Sequence, residues 1–135
     1  MIYSVDVEIT APVSDTEVTD RVVDAVVAIF PGAEPELRYG ELTATVHDLD
    51  HVSELLYRQE ILDTARSVFL GTHQGDSFSF RLKKQAAFEG VINFVVDEPG
   101  ELGAITARVR VEEPSVEEYV DHVAPPTEAG EPIEP

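Results

Sequence analysis

His47 and His51 stand four apart in HDLDH, the spacing at which two imidazoles on one helix face hold zinc in a metalloprotease. The residue after the first histidine, however, is Asp48, one carbon shorter than the glutamate that activates water in that chemistry. The pair also straddles an expected strand end and helix start, so Asp48 and Asp50 read better as helix caps. GTHQGD (71–76) has glycines four apart, but a phosphate-cradling loop needs GxxxxGK[ST] running into a helix. Here Gly75 is followed by Asp76, Ser77 and a strand pattern. The acidic pairs Glu112-Glu113, Glu117-Glu118 and Asp97-Glu98 fall in turns or on exposed positions, whereas an acid–base pair needs one carboxyl in an apolar pocket. With no Cys, thiol catalysis, disulfides and thiolate metal sites are excluded. The expectation is a protein that is not an enzyme and uses no cofactor or metal.

One stretch does carry a chemical signal. In SFSFRLKKQAAFEG (77–90), strand alternation sends Phe78, Phe80 and Leu82 to one face and Ser77, Ser79, Arg81 and Lys83 to the other. Lys84 and Gln85 then open a possible helical turn, where free backbone N–H groups favour anions such as phosphate. Arg66 and His73 flank the strand. An RNA backbone suits such a surface, with Arg81, Lys83, Lys84 and Gln85 as contacts and Arg66 and His73 assisting. The alternative is that Arg81 and Lys83 pair with carboxylates across the sheet.

The setting of that stretch is unusual. The 135-residue chain holds 27 Asp+Glu against 9 Lys+Arg, a net charge of −18. Residues 51–90 nevertheless balance five basic residues (Arg58, Arg66, Arg81, Lys83, Lys84) against five acidic ones (Glu54, Glu60, Asp63, Asp76, Glu89), while the other 95 hold four basic and 22 acidic. Abundant carboxylates with two Lys and no Trp match an extreme halophile's cytoplasm, where salt screens self-repulsion to a Debye length of about 3 Å or less. At that salt, counterion release adds little affinity for RNA, so binding has to rest on hydrogen bonds, shape and stacking, with Tyr39 and Tyr57 as candidate stacking residues. No run approaches the roughly 20 apolar residues of a membrane span, and the N-terminus lacks a basic signal region. A soluble cytoplasmic protein is expected.

The elements that would position these residues follow from periodicity. Residues 2–10 alternate as a strand. Ser14-x-x-Glu17 is a possible capping box for a helix over about 16–30, which Pro31-Gly32 stops. Residues 36–47 alternate with a slip near Gly40, which predicts one strand with a bulge. Val52, Leu55, Leu56, Leu62, Ala65 and Phe69 mark one helix face through about 70, with Gly71 as its cap. Residues 77–83 are a strand, VINFVVD (91–97) reads as a central strand, Glu98-Pro-Gly-Glu-Leu-Gly turns the chain, and 105–113 is a last strand before a short helix begun by Pro114-Ser115-x-x-Glu118. The order β-α-β-α-β-β-β-α predicts a two-layer α+β domain over 1–123, with a largely antiparallel sheet and its helices on one face. Residues 124–135 read as a flexible, acidic, proline-rich tail.

RLKKQAAFEGVINF, followed by Leu102-Gly103-Ala104-Ile105, resembles the archaeal UPF0201 (DUF54) family. The family pattern of Asn-Lys-Gln-x-Ala and then an apolar strand containing Asn-Phe is met at Lys84, Gln85, Ala87, Asn93 and Phe94, with Gly90 between; Lys83 stands where Asn is usual. The resemblance spans about 2–113. It implies a fold like ribosomal protein L5 and an RNA-binding role, with structured RNA as the partner. A protein-interaction or assembly subunit that does not bind nucleic acid is the alternative, and the sequence leaves the oligomeric state open.

Overall fold

The computed structural model describes residues 2–97, 103–128 and 131–132. Residues 98–102 of the expected turn, and 129–130 and 133–135 of the expected tail, lie outside the described residues. The chain runs β1 (Ser4–Pro12), α1 (Thr19–Ile29), β2 (Glu36–Arg38), β3 (Glu41–Val46), α2 (Asp50–Gln59), α3 (Leu62–Gly71), β4 (Ser77–Leu82), α4 (Lys84–Phe88), β5 (Ile105–Glu113), α5 (Val116–Val123), β6 (Thr127–Glu128) and β7 (Glu131–Pro132). Five strands form one antiparallel sheet in the order β2-β3-β1-β5-β4.

Alternation decides which face of the sheet is buried. Val5, Val7, Ile9 and Ala11 of β1, Phe78, Phe80 and Leu82 of β4, and Ile105, Ala107, Val109 and Val111 of β5 all point into one core. Helices cover that face with Val22, Val26 and Ile29 from α1, Leu55 and Leu56 from α2, Phe69 from α3, and Tyr119 and Val120 from α5. The other face is left half-buried or exposed. The α+β class, the antiparallel sheet and the one-sided helices therefore match the sequence expectation. So does the inward Phe78–Phe80–Leu82 set, which packs around Phe69 with ring centroids 5.0 Å and 5.1 Å from Phe78 and Phe80.

Four expectations about elements are corrected. Residues 36–47 form a hairpin, because Tyr39 and Gly40 both have positive φ (51° and 76°), the conformation of a two-residue turn that matches strand twist. The helix over 50–70 is two helices. Ile61 N–H bonds Leu56 O and Glu60 N–H bonds Tyr57 O, while Glu60 is left-handed at φ 59°. This double closure is the usual glycine C-cap made without glycine. Residues 91–97 are not a central strand. Phe94 makes one bridge to Leu82, and the amide of Gln59 donates to Ile92 O and accepts from Ile92 N–H, taking the place of a strand partner. Ser14 and Glu17 do bond reciprocally, but α1 begins at Thr19, so they close the preceding loop rather than cap the helix.

Ser115 behaves as expected, with its hydroxyl accepting from Glu118 N–H. Gly103 enters β5 at φ 76°, and a Cβ there would sit 2.6 Å from Pro12 Cγ, so only glycine fits. Beyond α5, Ala124 is fully buried and Thr127 Oγ1 donates to Asp63.

Candidate nucleic-acid interface

The strand register builds the open face from residues distant in sequence. Arg81 lies beside Thr106, Thr106 beside Thr10, and Thr10 beside Thr43. One row along, Ser79 neighbours Arg108, which neighbours Glu8. In the next row, Ser77 neighbours Arg110, which neighbours Asp6. The β4–β5 half of the face is thus basic and rich in hydroxyls, a row of threonines crosses its middle strands, and β1 supplies the carboxylates.

The four arginine and lysine side chains on or beside this half differ in how they are held. Arg81 donates from Nη2 to Asp97 O at 3.1 Å. Arg110 Nε is 3.2 Å from Asp76 Oδ2, with both side chains about 60% exposed (59% and 61%). Such a pair is worth about 0–1 kcal/mol and gives way readily to a competing anion. Arg108 is exposed and has no ion pair among the described residues. Lys83 is exposed and leads out of β4, its N–H bonded to Asn93 O. Planar guanidinium groups in this setting present forked donors that match phosphate oxygens. The serine and threonine hydroxyls add neutral donors of the kind that position a nucleic-acid backbone.

The structure does not gather the six residues singled out in the sequence. Arg81 and Lys83 share the open face, as alternation requires. Lys84 turns the other way: its ammonium is 2.9 Å from Glu17 Oε1 and also bonds Pro12 O, with 9% of the side chain exposed. Burial alone pushes the Glu17 carboxyl up, but the Ser14 N–H and the Lys84 ammonium outweigh it and hold the group below its ordinary value. Arg66 faces the helix layer, with Nη1 2.6 Å from Asp121 Oδ1 and bonded to Ala124 O, tying α3 to α5. His73 Nε2 lies 2.9 Å from Gly75 O and Nδ1 3.7 Å from Glu117 Oε1. Its ring holds its own loop together and lies close to α5. Gln85 is exposed on α4, a five-residue turn too short to concentrate a helix dipole.

Arg108 and Arg110 are the contributions that reasoning along the chain missed. The alternation in ITARVRVEE already placed both outward, but only the pairing of β5 with β4 reveals their neighbours. HDLDH proves structural. His47 Nδ1 lies 3.0 Å from Asp6 Oδ1 on β1, His51 pairs with Glu54, and Asp48 accepts from Asp50 N–H at the start of α2. Among the described residues, no group of three or more His, Asp or Glu side chains is placed to hold a metal, and no helix is long and apolar enough to cross a membrane.

Comparison with known proteins agrees with this architecture. A family model described as RNA binding matches residues 6–111. The UPF0201 protein of Thermococcus kodakarensis is 36% identical over 96% of this chain and 96% of its own length. The UPF0200/UPF0201 protein of Archaeoglobus fulgidus is 37% identical, but this chain spans only 40% of that longer protein. The crystal structure of a UPF0201 protein from Methanococcus jannaschii superposes with a TM-score of 0.87 at 32% identity, covering 96% of this chain and 99% of that one. With a matching family model over most of its length and full-length relatives above 30% identity, the chain belongs to the UPF0201 family, whose model is described as RNA binding.

Proposed function

We propose that this chain is a non-catalytic cytoplasmic protein that binds structured RNA on the open half-face formed by β4 and β5. Arg81, Lys83, Arg108 and Arg110 contact phosphates, and Ser77, Ser79 and Thr106 donate hydrogen bonds to the backbone or 2′-hydroxyls. The observation that carries this reading is the register that sets Arg108 and Arg110 directly beside Ser79 and Ser77 in a chain of net charge −18. Positive charge is scarce in this protein, yet here it is concentrated on one uncovered surface.

Fluorescence-anisotropy titration of labelled structured RNA across a KCl series tests it. Arg108→Glu/Arg110→Glu should weaken binding at low salt by tenfold or more. It should also flatten the dependence of log K on log[KCl] by about 1 for each phosphate the variant no longer neutralises. Failure of the wild type to retain RNA at any salt, or unchanged affinity in the double variant, overturns the proposal. A second reading, a protein-interaction subunit, is favoured by Leu37 and Tyr39, 50% and fully exposed at the β2–β3 hairpin tip. Co-purification of one stoichiometric protein without RNA would select it.

A further inference from the structure

Around the same corner of the molecule, α4 and α1 enclose a groove of about 600 Å³ whose lining includes Thr16, Val18, Arg21, Val22, Gln85 and Phe88. That volume falls in the range of small-molecule sites, about 300–1,000 Å³. Phe88 is 39% exposed, and the Arg21 guanidinium carbon lies over its ring at 5.4 Å from the centroid, so the ring backs a planar cation. Val18 extends the apolar surface and is 61% exposed. Gln85 offers an amide donor and acceptor with no hydrogen-bond partner among the described residues. The Lys84–Glu17 ion pair at the groove is satisfied within the protein and leaves Arg21 as the accessible positive charge there.

We infer that this groove receives one unstacked base of the bound RNA. The inference rests on the RNA reading above and narrows its ligand to RNA with a single-stranded or bulged nucleotide. The base stacks on the Arg21 guanidinium that the Phe88 ring backs, Val18 covers its edge, and Gln85 reads a polar edge; a π-face is common to every base, whereas an amide discriminates among them. Continuity supports this occupant over a protein segment. Lys83 ends the basic open face and is also the residue that caps α4, so Gln85 and Phe88 follow Arg81 and Lys83 within the next turn of the chain.

The test compares a fluorescent single-stranded oligonucleotide with its blunt duplex, binding to the full chain at low and at multimolar KCl. Phe88→Ala should weaken single-strand binding roughly tenfold at both salts, because stacking does not depend on counterion release. Duplex binding should not change. Arg108→Glu should weaken both RNAs, mainly at low salt. If Phe88→Ala binds the single strand like the wild type while Arg108→Glu still loses affinity, the groove inference fails and the RNA reading stands. A wild type that binds neither RNA sinks both. Should Phe88→Ala lose its far-UV circular dichroism, Gln85→Ala at its exposed position and photocrosslinking of 4-thiouridine RNA decide instead. Crosslinks to Phe88 or its α1 neighbours support the inference; crosslinks confined to the open face, or a protein segment crosslinked in the groove, overturn it.

Discussion

Lys84 and Glu17, 67 positions apart in sequence, meet at 2.9 Å with only 9% and 12% of their side chains exposed. The contact joins α4 to the loop before α1, and the Pro12 carbonyl on the same ammonium adds the end of β1. A lysine that looks like an RNA contact in sequence is thus the staple that holds one end of the sheet to the helix layer.

Removing the ammonium from that staple should be costly. Lys84→Met leaves the part-buried Glu17 carboxylate with the Ser14 N–H but without its cation, a change worth about 3 kcal/mol. The melting temperature should fall by about 10 °C. Calorimetry of the two proteins at one salt concentration measures it; a shift of a degree or two would mean the pair is solvated and of little consequence.

The same pair makes stability depend on pH with a definite sign. The Glu17 carboxyl titrates below its ordinary 4.5 in the folded protein, so its contribution is fully present above 4.5 and disappears as pH falls through the lower folded value. The stability difference between the wild type and Glu17→Gln, from urea titrations, should be constant from about pH 7 to about pH 5 and shrink on further acidification. A difference that grows in acid contradicts this assignment.

Glu60 holds a left-handed conformation at φ 59° in the cap between α2 and α3. Glu60→Gly should relieve that strain and raise stability by about 0.5 kcal/mol, although glycine costs entropy in the unfolded chain. Chemical denaturation at one pH gives the value, and a loss of stability would show that the glutamate side chain itself supports the cap.

The same cap explains what the sequence did not disclose. The periodicity of Val52 to Phe69 continues through the break, because both helices bury the same face, and no glycine or proline marks Glu60. The hairpin at Tyr39-Gly40 was hidden for a similar reason: tyrosine is a poor signal for the first position of such a turn. VINFVVD reads as a central strand because it is apolar, yet it makes only a short contact with the end of β4, and at Ile92 the Gln59 side chain supplies both backbone hydrogen bonds. By contrast, two-residue alternation identified the inward face of β4 correctly, since burial on one side is local information. The interface was half legible. Arg81 and Lys83 could be placed from their own strand, whereas Arg108 and Arg110 become their neighbours only through pairing. Lys84, Ala87, Gly90 and Phe94, which carry the family resemblance, serve the fold: an internal ion pair, a fully buried methyl, a turn at φ 75° and a half-buried ring against Phe69 and Phe80.

The outer edge of β4 is closed by its own neighbourhood. Thr72 Oγ1 both accepts from Ser79 N–H and donates to Ser79 O, Gln74 exchanges backbone bonds with Ser77, and Val95 N–H bonds Arg81 O. The opposite edge, β2, is three residues long. In concentrated salt a charge of −18 no longer keeps molecules apart, and open strand edges become templates for aggregation. With one edge sealed and the other short, colloidal stability in brine rests on backbone geometry, which salt does not screen.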